Sequence, residues 1–359
     1  MRINARKFLE DYFYPRKVLF TNSGGASLQA MIEDFKLQNS VIILPSFICP
    51  DVFVPLFIHN NIRPLLIDCP KDSFNIRLSD IKKTYEKDKN KDKIKSVLIV
   101  HTYGLINRDI EKISEWCKRK KIVLIEDCAH CINAKYKGKF VGKFGDAATF
   151  SLWKIMKIPA GGCYVRNNGE MNVNVIPYRI NNVDINRLIR IIPFGMLIIK
   201  FLKSFNVHKK VIIHPSIIKV MATPKVFDFI TINSRKIDIN RRKQFASVLY
   251  NCLKREIPDK LPKLELSGNF FHSVPLLVKN QDIVFEKLLE NKINCGRMWN
   301  NPLSKDPLLL KRWKVGKTPN VENYHSKKII NLMIEDPKFS NKQIEKMAKK
   351  ISDVIKKYD

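Results

Sequence analysis

The sequence has 359 residues, which is long enough for one large domain and a smaller one. Hydrophobic residues make up 45% and charged residues 28%, a balance that is typical of globular proteins and excludes a disordered or fibrous chain. The net charge of +31 comes from 65 Lys and Arg residues spread along the whole chain. This spread favours a solvated basic surface and no nucleic-acid partner, with contacts to phosphate-bearing substrates or a membrane as the alternative.

Short β-rich runs alternate with helical stretches in the first half of the chain. The predicted strands are residues 41–44, 63–67, 96–101, 122–125, 147–151 and 162–165. The predicted helices are residues 27–35, 51–59, 78–87 and 110–118. The charge-rich run 82–95 is predicted to form the end of a helix and an exposed loop. This alternation predicts a doubly wound α/β fold with a mostly parallel sheet between helices.

The second half of the chain predicts a smaller unit. The pattern is helical from about 177 to 250 and includes an amphipathic helix at 237–253. A strand, a helix, a loop with Trp299 and Pro302, and a closing helix follow, at residues 271–278, 283–290, 299–302 and 341–357. We expect a large domain at 1–240 with a helical insertion at about 177–235, and a small C-terminal α+β domain at 241–359.

Cysteine usage and the N-terminal residues predict a cytoplasmic protein. The eight cysteines are scattered through apolar segments, and the pair Cys128 and Cys131 has no second pair beside it, so we expect no metal site. The first residues lack the apolar run of a signal peptide. The apolar stretch 188–205 is interrupted by Pro193 and Gly195 and is too short to span a bilayer. It predicts a buried helical pair or a subunit contact, with a peripheral membrane helix as the alternative.

The stretch 123–163 carries the residues suited to chemistry. Asp127 follows a predicted strand, and open α/β sheets bind ligands at the carboxyl ends of their strands. A carboxylate there keeps the pyridine nitrogen of pyridoxal phosphate (PLP) protonated, so that the ring accepts electrons. Lys154 follows the next predicted strand, and a desolvated lysine amine forms a Schiff base with an aldehyde. Either residue alone is more often structural or on the surface, so the prediction depends on their combination.

Four motifs lie in this stretch: EDCAH at 126–130, YKGKFVGKFGD at 136–146, FSLWK at 150–154 and GG at 161–162. Weaker motifs lie outside it: NSGGAS at 22–27, PSFICP at 45–50, HTYG at 101–104 and INCGRMWNNP at 293–302. Together they resemble the DegT/DnrJ/StrS family of PLP-dependent sugar aminotransferases. The resemblance implies PLP as the cofactor and the PLP-transferase fold type I, with a seven-stranded sheet in the large domain.

The resemblance also implies a role for each matching residue. Lys154 is the Schiff-base lysine, Asp127 is the partner of the pyridine nitrogen, and His130 lies near the hydroxyl or ring of the cofactor. The remaining residues of the implied cofactor site are Gly24, Gly25 and Ser151 at the phosphate, Phe47 over the ring, and His101 nearby. Backbone amides at a helix N-terminus suit a phosphate. For Phe47, His101 and His130, an ordinary place in the protein core is the alternative.

The sequence departs from the family pattern at three points. Ser151 and Lys154 are three residues apart instead of five, so Lys157 is an alternative Schiff-base lysine, although the distance to the glycine pair favours Lys154. Ala160 replaces a common glutamate, and Gly25 replaces a threonine. The last two changes bear on the phosphate contacts and on the choice of sugar.

The function implied by the resemblance is amino transfer, with glutamate as the expected donor, to a keto sugar carried on a nucleotide. Polysaccharide or surface-glycan biosynthesis and a homodimer are implied with it. A histidine at position 154 would mark the dehydratase branch of the family, whereas Lys154 favours transamination. The alternatives are a PLP-fold enzyme with other chemistry, such as sugar dehydration, and a catalytically degenerate binding protein.

Overall fold

The computed structural model describes residues 5–152, 154, 161–176, 239–334 and 339–359. The predicted insertion at 177–235, the apolar stretch 188–205, Lys157 and Ala160 lie outside these residues. Within the described residues, no helix is both long enough and apolar enough to cross a membrane.

A seven-stranded, mostly parallel sheet forms the centre of the protein. Strands follow the chain as β1 Lys17–Thr21, β2 Val41–Pro45, β3 Arg63–Ile67, β4 Ile94–Val100, β5 Val123–Asp127, β6 Lys135–Tyr136, β7 Lys139–Phe140, β8 Ala147–Ser151 and β9 Gly162–Arg166. The order in the sheet is β1-β9-β8-β5-β4-β2-β3, and β6 pairs with β7 in a separate hairpin. Only β9 runs against the other six strands, because it pairs antiparallel with both β1 and β8. The predicted α/β fold is therefore confirmed.

Helices cover both faces of this sheet, and those of the second half pack on one another and on a smaller sheet. They follow the chain as α1 Ala5–Phe13, α2 Gly24–Asp34, α3 Pro50–Asn60, α4 Leu78–Lys87, α5 Ile110–Lys120, α6 Ile239–Glu256, α7 Gln281–Glu290, α8 Pro307–Trp313 and α9 Asn341–Tyr358. Side chains alternate between the two faces of β2: Ile43 belongs to one core cluster and Ile42 to another. Because both faces are buried, the strands read as continuous apolar runs rather than as alternating ones.

A second, antiparallel sheet packs beside the first. Its strands are β10 Ser273–Leu277, β11 Cys295–Gly296 and β12 Ile329–Met333, with β12 in the middle. Side chains from β10 and β12 share one continuous core cluster with Ile43 and Phe47 of the large sheet. The second sheet is therefore fixed against the carboxyl ends of the central strands. The domain boundary at 240/241 stays a prediction.

Several elements were not expected from the sequence. The edge strand β1, the N-terminal helix α1, the seven-residue helix α8 and the central strand β12 were all missed. β1 begins with Lys17 on an edge of the sheet, so its sequence lacks the continuous apolar run of the buried strands. The helices predicted at 237–253, 283–290 and 341–357 are confirmed, with boundaries shifted by at most three residues.

Candidate active site

Three neighbouring strands end at one edge of the large sheet and bring predicted site residues together there. β4 leads directly into His101, β5 ends at Asp127, and β8 ends at Ser151. His101, Asp127 and Ser151 are all buried. Open α/β sheets bind ligands at the carboxyl ends of their strands. This edge is therefore the candidate active site.

The side chain of Lys154 points to this edge. Its Nζ lies 3.2 Å from Nε2 of His130, which follows β5. Burial lowers the pKa of His130 well below its usual value, and the positive charge of Lys154 acts in the same direction. His130 is therefore neutral, so that Nε2 accepts a hydrogen bond from the lysine amine while Nδ1 carries the proton. Nδ1 is buried and has no partner within the described residues.

Asp127 is a buried carboxylate with few compensating contacts. Its Oδ1 accepts a hydrogen bond of 2.9 Å from the Ala129 amide. Burial raises the pKa of Asp127, while the Ala129 amide and the positive charge of Lys154 oppose that shift. A carboxylate held in this way attracts a cation strongly, because burial has removed the water that would otherwise solvate it.

Glu126 and His101 form a structural pair behind Asp127. Glu126 accepts hydrogen bonds from the amides of Gly142, Phe144 and Gly145 at 2.6–2.8 Å, and its Oε2 lies 3.2 Å from Nε2 of His101. The other ring nitrogen of His101 accepts the amide proton of Asn107 at 3.2 Å, so Nε2 carries the proton and donates to Glu126. Both ring nitrogens of His101 are thus used within the protein. Its proximity to a cofactor stays a prediction.

Cys128 completes a buried group with these two residues. Ligand atoms of His101, Glu126 and Cys128 lie within 4.8 Å of one another. Burial raises the pKa of the Cys128 thiol well above its usual value. Because Glu126 is already held by four donors, we interpret this group as structural.

The N-terminus of α2 approaches the same edge. Ser23 caps this helix by accepting the Ala26 amide at 3.1 Å. The amides of Gly24 and Gly25, in the first turn, have no acceptor in the part of the chain that the structure describes. A Cβ atom at Gly24 would lie 3.0 Å from Cβ of Ser151, so the glycine allows the helix to reach the end of β8. Two free amides beside a serine hydroxyl form an anion-binding arrangement.

Phe47 is fully buried. Its side chain is 0% exposed and packs edge-on against Trp299 with ring centroids 5.1 Å apart. This is the core position left open as the alternative, and contact of Phe47 with a cofactor stays a prediction. Two residues further on, the Cys49 thiol is only half-buried. It is within electrostatic reach of Lys154 and Asp127, and burial raises its pKa.

A sequence profile of the DegT/DnrJ/EryC1/StrS aminotransferase family matches residues 6–187. This match spans half of the chain. The chain belongs to this aminotransferase family. The expected membership is confirmed, and the matched range includes Asp127, His130 and Lys154.

Two relatives and one solved structure illustrate the similarity. GDP-perosamine synthase of Escherichia coli O157:H7 is 32% identical over 126 residues, which is 34% of this chain and 33% of that enzyme. The dTDP-4-dehydro-2,3,6-trideoxy-D-glucose 4-aminotransferase of Saccharopolyspora spinosa is 25% identical over 82% of this chain and 74% of its own. A DegT DnrJ EryC1 StrS aminotransferase from Brucella abortus has a TM-score of 0.73 and 17% identity over 97% of this chain and 88% of its own. The matching segment thus spans only about a third of the length of the synthase, whereas the structural match extends over 97% of this chain and confirms its fold.

Three residues at the site were missed by sequence reasoning. His272 and Trp299 come from the second half of the chain and stack on His130, with ring centroids 4.5 Å and 5.5 Å away. Cys49 lies in the PSFICP stretch that was singled out for its aromatic residue. The family resemblance had marked the surroundings of Trp299 and Cys49, but only the fold shows which side chains face the site.

Replacing Glu126 with Ala is expected to destabilise the protein by at least about 3 kcal/mol, because three buried amides and His101 would lose their acceptor. Urea denaturation of the apoprotein measures this change. The control is Glu111→Ala, which removes an exposed ion pair with Lys137 and should change stability by under about 1 kcal/mol. Equal effects of the two substitutions would contradict the structural role of Glu126.

Replacing Gly24 with Ala is expected to weaken PLP binding by about 10-fold or more, while the melting temperature of the apoprotein changes little. The added methyl group meets Ser151 at the end of β8 but suits the helix itself. A fluorescence or absorbance titration with PLP measures the affinity. Gly316→Ala is the matched control, because a Cβ atom there meets nothing within 4 Å. Unchanged affinity in Gly24→Ala would remove α2 from the cofactor site.

Proposed function

We propose that the protein is a PLP-dependent aminotransferase that transfers an amino group to a keto sugar carried on a nucleotide. One observation carries the proposal: the amine of Lys154 lies 3.2 Å from a neutral His130, beside the buried Asp127, in a chain that belongs to an aminotransferase family. A lysine, a carboxylate and an acceptor at the carboxyl end of a sheet are the groups that this chemistry needs.

The residues present fit PLP. Asp127 would hold the protonated pyridine nitrogen, since its buried carboxylate has only one described amide donor and attracts a cation. The free amides of Gly24 and Gly25, with the Ser151 hydroxyl beside them, would hold the phosphate. The orphaned Nδ1–H of His130 offers a donor to the ring substituents. When bound, PLP supplies an aldehyde for amines and a ring that accepts electrons.

Lys154 would serve both as the covalent attachment point and as the group that moves a proton. Once the amino donor displaces it, its amine is free to take a proton from the α-carbon of the donor, to hold it as an ammonium ion, and to give it back as an acid. His130 keeps that amine in place, because its neutral Nε2 accepts a hydrogen bond from the amine. Burial of Asp127 and His130 excludes water, which strengthens every charge interaction at the site. Lys157 stays the alternative attachment point and lies outside the described residues.

The finer features of the proposal come from the family and its members. The perosamine synthase and the trideoxyglucose aminotransferase are named for GDP- and dTDP-linked sugars, which supports a nucleotide-linked keto sugar here. Glutamate is the proposed amino donor, and the product is proposed to enter polysaccharide or surface-glycan synthesis. A homodimer and a cytoplasmic location are proposed with them, as is typical of this family.

The test is transfer of labelled nitrogen. Purified protein with PLP and ¹⁵N-glutamate is incubated with GDP-linked and dTDP-linked 4-keto-6-deoxy sugars, and the products are identified by mass spectrometry. The expected result is a ¹⁵N-amino sugar from at least one nucleotide sugar, with 2-oxoglutarate formed in equal amount. Loss of water from the sugar without nitrogen transfer would favour the dehydratase alternative. Cofactor that never binds would favour the degenerate binding protein.

A further inference from the structure

We propose that His272 is a positioning residue of this active site, which acts on Lys154 through His130. The inference rests on the proposed function, because it concerns the same lysine. His272 precedes β10 and is separated from Lys154 by more than one hundred residues of the chain. It touches the neighbour of the lysine rather than the lysine itself.

The first observation is a group of stacked flat rings, the ring stack. The ring of His130 stacks on that of His272, with centroids 4.5 Å apart and planes 26° apart, and on that of Trp299, 5.5 Å away and inclined by 12°. With two rings stacked on it, His130 cannot turn out of its plane without breaking both contacts. Its Nε2 is therefore held toward Nζ of Lys154.

The second observation is that the backbone of His272 is fixed from two sides. Its amide donates to the carbonyl of Tyr103 at 2.7 Å. Arg242, itself buried, donates to the carbonyls of Phe271 and His272 at 3.2 and 3.1 Å. A Cβ atom at Gly104 would lie 2.8 Å from the carbonyl oxygen of His130 and from the amide of His272, so the segments that carry the two histidines meet at this glycine.

The third observation is local backbone strain. Tyr103, Phe271 and Trp299 have φ of 59°, 57° and 58°, in the left-handed region that bulky residues rarely adopt. Trp299 is part of the ring stack, Phe271 precedes His272 in the chain, and the carbonyl of Tyr103 accepts the His272 amide. Strained backbone conformations cost free energy and are found most often at functional sites, where the surrounding structure fixes the orientation of particular side chains.

The charges around the ring stack support the same role. The ionisable groups that face the two histidines within the described residues are Lys154 and Arg242. Burial, Arg242 and Lys154 all lower the pKa of His272, and burial is the largest cause. His272 is therefore neutral and adds no charge next to the lysine. Its contribution to the site is the position of the ring.

The test first uses the apoprotein, where no cofactor is needed. Lys154 is labelled by reductive methylation at a fixed pH, and the rate is read from its peptide by mass spectrometry. His272→Gln keeps roughly the side-chain volume but removes the ring, and we expect Lys154 to be labelled about 3- to 10-fold faster because His130 no longer holds its amine. His272→Phe restores a flat ring and should restore the wild-type rate. His325→Gln, at a buried histidine that does not stack on His130, is the matched control and should not change the rate.

A double-mutant cycle with His130→Ala decides whether the effect passes through His130. If it does, His272→Gln has no further effect once His130 is absent. In the holoenzyme, His272→Gln should lower kcat by about 10- to 100-fold and change KM by less than about twofold, since only orientation is lost. Additive effects in the cycle, or a labelling rate that His272→Gln leaves unchanged, would overturn the inference. Should the wild type transfer no amino group, the proposed function fails while the labelling cycle still decides the coupling.

Discussion

Replacing Lys154 with Ala is expected to lower amino transfer by at least about 10³-fold, because both the covalent attachment and the proton transfer are lost at once. The protein should remain folded, since the side chain is only partly buried and its described hydrogen bond is the one to His130. Two measurements check this prediction: the steady-state rate of ¹⁵N transfer, and the visible absorption of protein-bound PLP. Wild-type protein should be yellow and the variant should lack the band of lysine-bound PLP.

Borohydride reduction identifies the attached lysine. In the wild type, reduction should fix the cofactor permanently on the peptide that contains Lys154, and digestion followed by mass spectrometry locates it. Lys157→Ala is the matched control, because it removes another lysine amine only three residues further along the chain. It should keep the band and at least half of the activity. A band that survives in Lys154→Ala and disappears in Lys157→Ala would reverse the assignment.

The strands that end at the site could be predicted from the sequence alone. β2, β4, β5 and β8 are buried on both faces, so each reads as a short apolar run that ends in or is followed by a polar residue. That pattern, with the rule for open α/β sheets, predicted that Asp127 would lie at the ligand-binding edge. The prediction succeeded because neighbouring parallel strands bring their ends together whatever the loops between them do.

The roles of the aromatic residues could not be predicted in the same way. Phe47 follows β2 within a motif singled out for its ring, yet its side chain belongs to the core shared by the two sheets. The direction of a side chain in a loop depends on the local backbone conformation. The hydrophobic periodicity that reveals strands and helices in a sequence does not predict that conformation. Cys49 faces Lys154 instead, and a cysteine in an apolar segment carries no local signal of that exposure.

His272 and Trp299 were missed for a different reason. Both come from the second half of the chain, and their contact with His130 depends on how the small sheet packs against the large one. Trp299 itself has a left-handed backbone conformation, and so do Phe271, which precedes His272, and Tyr103, whose carbonyl accepts the His272 amide. Glycine or asparagine in the sequence would have indicated such conformations, whereas bulky aromatic residues do not.

Replacing Asp127 with Asn should separate stability from activity. The buried carboxylate has a raised pKa, so the folded apoprotein binds more protons than the unfolded chain between the unfolded value of 3.8 and the folded value. Stability is therefore lost as the pH rises through that interval, and the loss persists at neutral pH. Asparagine removes the charge and can still accept the Ala129 amide. The variant apoprotein should be more stable at pH 7, on the order of 1 kcal/mol, with a difference that shrinks as the pH falls toward 3.8.

Cofactor binding should reverse the order of stability of the wild type and Asp127→Asn. A protonated pyridine nitrogen beside Asp127 compensates its charge, so PLP should raise the melting temperature of the wild type more than that of Asp127→Asn. Amino transfer by the variant should fall by about 10²–10³-fold, because the ring no longer keeps the proton that makes it accept electrons. Thermal unfolding with and without PLP, together with the ¹⁵N assay, measures both effects. Asp109→Asn, at a residue that accepts the Leu78 amide away from the site, is the control. A variant with less stable apoprotein and normal turnover would show that Asp127 serves the fold rather than the cofactor.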